Sequence, residues 1–231
     1  MIPAFENFEE KIGIFFEDKA LLKQAFTHRS YLNEHRGSKV SHNERLEFLG
    51  DAVLELIVTR YLYEKYPDKA EGDLTSFRAA LVNAVTLSGV AKDIGMNDFM
   101  LLSKGEAKDN GRARDTILAN AFEAVVGAIY LDRGYDSAKE FIEKNVFHLT
   151  ESIVKEKLWL DAKSHFQEQA QEHNGLTPVY KTVEELGPDH DKKFKVAVYI
   201  GDELVSGGEG KSKQEAEQNA AQRALEKKGW R

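Results

Sequence analysis

The sequence predicts a multidomain chain of α and α+β class. An all-α domain spans about residues 1–156, and a smaller domain of order α-β-β-β-α spans about residues 160–231. Three observations carry this expectation. Apolar residues recur at helical spacing through the first part of the chain. Beyond it, Phe194, Val196, Val198 and Ile200 alternate with Lys195, Ala197 and Tyr199, which is the period of a strand. Gly72, Gly95, Gly111 and Gly134 fall where turns between helical runs are needed.

The elements follow in order. Met1 to Phe16 carries Glu6, Glu9 and Glu10 and has no basic start before an apolar block, so it does not read as a secretory leader. Leu46, Leu49, Val53, Leu54, Ile57, Val58 and Tyr61 define one helix, and Ile117 to Leu131 defines another. Leu74 to Val90 and Tyr135 to Val154 carry weaker helical patterns. Val154 to Asp161 reads as the connection between the domains. Ala162 to His173 then forms a helix, Pro178 to Tyr180 opens an extended segment, and Glu203 to Ser206 forms a short strand that Gly207, Gly208 and Gly210 interrupt. The last helix starts at Ser212, which has capping-box spacing to Glu215, and it turns Ala216, Ala220 and Ala224 to one side.

Composition narrows the function classes. No apolar run is long enough to cross a bilayer, so no membrane partner is expected. The absence of cysteine excludes disulfides, thiolate metal sites and a cysteine nucleophile, and it suits a reducing, cytoplasmic setting. The net charge of -7 divides into -6 over residues 1–161 and -1 over residues 162–231, so charge alone does not indicate a nucleic-acid partner. There is no phosphate-cradling P-loop and no serine elbow. His28, His35 and His42 lack zinc-helix spacing and read as structural.

The chemistry concentrates in Asn43 to Leu54. On a helix, Glu47 and Asp51 share a face, and Glu44 and Glu55 extend it. No Lys or Arg occupies a neutralising position three or four residues from Glu47 or Asp51. In Ile117 to Leu131 the only charge is Glu123, amid Phe122, Ala124, Val125 and Val126, with Asn120 one turn before it. An unpaired ionised carboxylate buried there costs several kcal/mol, roughly, unless a cation faces it. If the two helices pack side by side, Glu47, Asp51, Asn120 and Glu123 converge. An all-oxygen set selects Mg2+, or Mn2+, over zinc and suits metal-assisted phosphodiester hydrolysis. Plainer readings stand beside this. The acidic stripe fits a solvated helix face, Glu44 fits a capping box with Ser41, and Glu123 fits a gap in an apolar pattern. Gly50 reads as a close helix–helix contact.

These residues carry a family resemblance. Asn43 to Leu54 (NERLEFLGDAVL) resembles the signature of bacterial ribonuclease III, and Ala25 to Tyr31, Glu71 to Leu74 and Asp115 to Leu131 resemble further segments in the same order. Residues 162–231 resemble a double-stranded-RNA-binding domain, including GPDHDKKF and GKSKQEAE. The resemblance implies an all-α ribonuclease III endonuclease domain followed by an α-β-β-β-α double-stranded-RNA-binding domain. It implies a homodimeric, Mg2+-dependent endonuclease that leaves 5′-phosphate and 3′-hydroxyl ends with short 3′ overhangs and processes structured RNAs such as rRNA precursors. By motif match, Glu47, Asp51 and Glu123 are metal carboxylates, and Glu44 assists near the scissile phosphate. Phe48 matches an aromatic that locks the dimer, although it could equally pack in the core. The family usually has Asp at the place of Asn120. The loss of one charge predicts a raised metal requirement. It also leaves open a second reading, a double-stranded-RNA-binding regulator with impaired cleavage.

For the second domain, duplex RNA is read by shape across minor grooves and the phosphates between them. Ser164, Gln167, Glu168 and Gln171 on the first helix could meet 2′-hydroxyls, although Gln167 also fits an ordinary surface. His190 could reach the next minor groove. Lys211, Ser212 and Lys213 at the start of the last helix could hold phosphate. Lys192, Lys193 and Lys195 fit either RNA binding or solubility at a strand edge. Duplex DNA, lacking the 2′-hydroxyl and A-form shape, is not expected to bind well.

Overall fold

The computed structural model describes residues 3–108, 111–155, 162–187 and 192–230. Most of the expected connection from Val154 to Asp161 lies outside them, as does His190. The chain forms two compact units, residues 1–159 and 160–231.

The first unit is helical: α1 (Glu6–Ile12), α2 (Lys19–Ala25), α3 (Arg29–Glu34), α4 (Glu44–Lys65), α5 (Glu71–Val82), α6 (Ala84–Asp93), α7 (Arg112–Val146) and α8 (Thr150–Lys155). Among the described residues, no single helix is long and apolar enough to cross a membrane. Leu46, Val53, Leu54, Ile57, Val58 and Leu62 of α4 join Leu118, Phe122, Val125, Val126 and Ile129 of α7 in one buried core. Side chains of this size contribute about 1.5–3 kcal/mol each on full burial. The expected helix from Leu74 to Val90 is two helices. Asn83 leaves helical geometry at φ -72°, ψ 159°, and its side chain accepts from the Thr86 N–H to start α6. The expected helices from Ile117 and from Tyr135 are continuous within α7 except for a kink at Gly134, where φ is 82°.

Gly50 and Gly127 set the distance between α4 and α7. A Cβ built at Gly50 would fall on the backbone carbonyl of Glu123, and one at Gly127 on the carbonyl of Leu46. Only glycine at both places lets the two backbones touch. The expected close contact at Gly50 is therefore present, and Gly127 is its counterpart.

The expected Ser41–Glu44 capping box does not form. The N-cap of α4 is Asn43, in helical geometry and with no side-chain cap bond. Its buried amide donates instead to the Ala25 carbonyl at 3.2 Å, and its backbone N–H donates to the Thr27 carbonyl at 2.9 Å. The helix is thus started by the preceding chain rather than by Ser41. Phe48 is not a core residue either. It points outward and is 82% exposed, because Leu46 and Gly50 occupy the inner face.

The second unit comprises α9 (Ala162–Asn174), β1 (Val179–Leu186), β2 (Lys193–Ile200), β3 (Glu203–Gly210) and α10 (Lys213–Lys228). The strands form an antiparallel sheet of order β1-β2-β3. Phe166, Ala170, Val198, Val205, Ala220 and Ala224 form its core between sheet and helices. β3 does not stop at Ser206 as expected but runs through the glycines to Gly210. A Cβ at Gly208 would meet the backbone of α10 at Ala216 and Ala220. Gly208 and Gly210 are a seat for the helix, not a break in the strand, whereas Gly207 faces the Val196 carbonyl of the neighbouring strand.

The α4–α7 contact generates a test. Gly50→Ala forces the helices apart, and overpacking of this kind costs about 1–3 kcal/mol or more. The thermal transition of the first unit is expected to fall by several degrees, about 5–10 °C for a unit of this size, while that of the second stays in place. Calorimetry showing an unchanged first transition would contradict the close contact.

Candidate active site

The contact at Gly50 and Gly127 decides what lies beside it. Glu47 and Asp51 are one turn apart on α4, flanking Gly50. Asn120 and Glu123 are one turn apart on α7, just before Gly127. Their side chains reach one another across the crossing. The Asn120 side chain hydrogen-bonds Glu47. Glu123 feels the charges of Asp51, Glu47 and Glu55. Around Glu123, Ala121, Phe122, Ala124, Val125 and Val126 are fully buried. Glu47, Asp51, Asn120 and Glu123 thus lie on the same side of the α4–α7 crossing, near enough to act on one another electrostatically.

The electrostatics are one-sided. Burial, followed by repulsion from Asp51, Glu47 and Glu55, pushes the Glu123 carboxyl up to about 8. Burial, followed by repulsion from Glu44, raises the Glu47 carboxyl above the usual range, and the Asn120 hydrogen bond partly offsets this. No side-chain cation contributes to either shift. Among the described residues, no three acidic or histidine side chains converge tightly enough to cage an ion as they stand. The chemistry of the set nonetheless fits a hard divalent cation: every donor is oxygen, and the negative charge is uncompensated by the protein.

Glu44 lies at the edge of this cluster, in the first turn of α4. It sits 3.7 Å from the Arg29 guanidinium and 3.7 Å from His42 Nδ1. An open groove of about 510 Å³ runs beside it, lined by His28, Arg29, Glu44, Glu47, Thr116 and Asn120 among others. Arg29 and Thr116 were not foreseen as groove residues. Thr116 lies one turn before Asn120 on α7, a helical spacing that could have found it, whereas Arg29 comes from a separate segment that only the fold brings to the acids. His28 keeps the expected structural role: its Nδ1 accepts from the Ser30 N–H and caps α3. His35 also has one, stacked on the Tyr31 ring at 3.9 Å between centroids.

In the second unit, Ser164, Gln167, Glu168 and Gln171 lie on the exposed side of α9, opposite the buried Ala162, Phe166 and Ala170. Gln171 also donates to the Thr177 hydroxyl at 3.3 Å. At the start of α10 the Ser212 half of the expected capping box is formed, while the Glu215 side chain turns to the residue before the cap. Ser212 Oγ accepts from the Glu215 N–H at 3.1 Å, and the Glu215 carboxylate accepts from the Lys211 N–H at 2.7 Å. Lys211 and Lys213 are exposed. Lys213 Nζ lies 2.7 Å from Glu185, a pairing not foreseen. Lys195 sits between Glu184 at 3.2 Å and Glu209 at 3.6 Å, which places it in a cross-strand ion network.

The comparisons with known proteins agree with this geometry. The family described as Ribonuclease-III-like matches residues 18–149, and the one described as Double-stranded RNA binding motif matches residues 162–228. A protein named Ribonuclease 3 from Streptococcus pneumoniae (strain P1031) is 50% identical over 215 residues, covering 93% of this chain and 92% of that one. The chain belongs to the ribonuclease III family. Its counterpart from S. pneumoniae strain CGSP14 is 49% identical over 215 residues with the same coverage. Among solved ribonuclease III structures, the nuclease domain from Campylobacter jejuni is 43% identical. It superposes with a TM-score of 0.55, covering 61% of this chain and 97% of that one. That structure is described as showing flexibility in a region involved in dimer formation.

The raised Glu123 carboxyl has a measurable consequence. Folding favours its protonated form, so its contribution to stability is intact below about 4.5 and is lost as pH rises through about 8. In chelator-treated protein, Glu123→Gln is expected to melt above the parent chain, with a gap that widens from pH 5 to pH 9. A gap that stays constant or narrows over that range would show that Glu123 ionises normally.

Proposed function

We propose that this chain is a double-strand-specific endoribonuclease that works with Mg2+, for which Mn2+ can substitute. The observation that carries the proposal is the gathering of Glu47, Asp51, Asn120 and Glu123 beside the α4–α7 contact, with no neutralising side-chain cation among the described residues. Glu47, Asp51 and Glu123 would hold the ions through carboxylate oxygens, and Asn120 through its amide oxygen. A divalent ion held there would supply Lewis-acid activation of water and charge stabilisation at the leaving oxygen. The residues themselves do the rest. The apolar surround of Glu123 excludes water, Asn120 orients Glu47, and Glu44 with Arg29 borders the groove where the strand would lie.

The second unit would supply the grip on duplex RNA. Ser164, Gln167, Glu168 and Gln171 form a polar, exposed helix face suited to 2′-hydroxyls. Lys211 and Lys213 offer ammonium charge, and Ser212 opens a helix end that favours phosphate. Structured RNAs, rRNA precursors included, are the proposed substrates, cut to 5′-phosphate and 3′-hydroxyl ends in a cytoplasmic setting. Asn120 gives no ground for a non-cutting regulator. It keeps an oxygen donor in the cluster and lowers the repulsion around Glu47.

We also propose that the working form is a homodimer. Phe48, Leu56 and Tyr63 are 82%, 59% and 73% exposed on the outer face of α4, an apolar surface that a second copy of the chain would cover.

Incubation with a long RNA duplex and Mg2+ is expected to give discrete products on a denaturing gel. Glu123→Gln and Asp51→Asn are expected to cut at least about a hundred-fold more slowly while still binding the duplex. Equal cleavage by these variants would remove the cluster from the reaction. Asn120→Asp is expected to lower the Mg2+ concentration for half-maximal cleavage by about ten-fold, well within what one added charge contributes beside a cation. For the dimer, light scattering of Phe48→Glu should give the mass of one chain where the parent gives two. A parent mass of one chain at micromolar concentration would contradict the dimer.

A further inference from the structure

We infer that Glu185 is an affinity-setting latch on the RNA-binding face: it holds the Lys213 ammonium in the RNA-free protein, and a phosphate of the duplex must displace it. The inference rests on the reading of Lys213 as a phosphate contact. Three features of the fold build the latch. Lys213 is the first residue of α10, just after the Ser212 cap, where the helix end favours an anion. Its Nζ lies 2.7 Å from Glu185 Oε1. The same ammonium lies 5.6 Å from the centre of the Phe194 ring. Glu185 and Phe194 are direct cross-strand partners in the β1–β2 register. One rung of the sheet therefore offers Lys213 a carboxylate from one strand and an aromatic face from the next.

A carboxylate in that position opposes the proposed partner. It competes for the ammonium and repels the approaching phosphate. The Glu185 carboxyl is lowered from its usual range, chiefly by the hydrogen bond from Lys213, so the carboxylate is ionised wherever RNA binds. Exposed pairs are weak, worth about two- to five-fold in an equilibrium constant at most. That is small enough for a phosphate to break and large enough to measure. The latch also changes the salt response. A lysine that binds phosphate normally displaces counterions, and each such contact steepens the dependence of affinity on salt by about one unit of log–log slope. Here, freeing Lys213 exposes the Glu185 carboxylate, which takes up a cation and cancels part of that release. The lysine thus contributes less affinity, and less salt sensitivity, than an unpaired one would.

The test uses the full chain in chelator, so that RNA is bound and not cut, with a duplex of about 20 base pairs in a filter-binding salt series. Glu185→Gln is expected to bind about two- to five-fold tighter than the parent and to show a slope steeper by up to about one. Lys213→Ala is expected to bind more weakly. In the Lys213→Ala background, Glu185→Gln is expected to add little. Weaker or unchanged binding by Glu185→Gln would overturn the latch. The same gain with and without Lys213 would also overturn it, because that is the signature of a general field rather than a held lysine. If Lys213→Ala itself binds as well as the parent, the reading of Lys213 as a phosphate contact fails, and the latch falls with it. A loss with Lys213→Ala but no gain with Glu185→Gln would remove the latch alone.

Discussion

The backbones of α4 and α7 touch at Gly50 and Gly127, and the acidic site exists because they do. Side chains at those two positions would push the helices apart, since each Cβ would land on a carbonyl of the opposite helix. The separation matters because carboxylate side chains are short. Glu47 and Asp51 reach Asn120 and Glu123 only across a crossing this close. The buried apolar residues of both helices supply the energy that holds the crossing. The glycines remove the steric barrier, and the polar residues next to them inherit their positions.

The same closeness sets a tension between stability and function. Folding gathers like charges where hydration is poor, and Glu123 responds by holding its proton up to about pH 8. A protein under pressure for stability alone would place an apolar residue there, in line with its neighbours on α7. Keeping the acids creates a demand for a cation, and no side-chain cation among the described residues contributes to the shifts of Glu47 or Glu123. Asn120 moderates the demand without removing it, because it contributes an oxygen and a hydrogen bond to Glu47 in place of another charge. The second unit shows a milder version of the same economy. Lys213, for which we propose a phosphate contact, is paired with Glu185 in the structure.

Much of this was legible in the sequence, for reasons that differ by residue. Helical spacing put Glu47 and Asp51 on one face, and the isolation of Glu123 within an apolar run marked it as unusual. Convergence of the two segments was a conditional expectation, which the glycine contact turned into geometry. The misreadings have physical causes too. Ser41 and Glu44 have capping-box spacing, but Asn43 is tied to Ala25 and Thr27 by contacts that no local pattern encodes. Gly207, Gly208 and Gly210 look like a turn, yet all three are strand residues, and at Gly208 and Gly210 the missing side chain admits α10. Phe48 matches a dimer-locking aromatic by resemblance, with core packing as the alternative, and its 82% exposure removes only the alternative. Arg29 beside Glu44 and Glu185 beside Lys213 gave no signal, because each joins segments that are unrelated in spacing.

The central claim is that α4 and α7 together make a divalent-ion site. Its most direct test is a Mn2+ titration followed by electron paramagnetic resonance, comparing the parent chain with Glu47→Gln and Glu123→Gln, one change on each helix. The account predicts saturable binding by the parent and a large loss in both variants. Binding that survives either change intact, or no saturable binding by the parent, would contradict it.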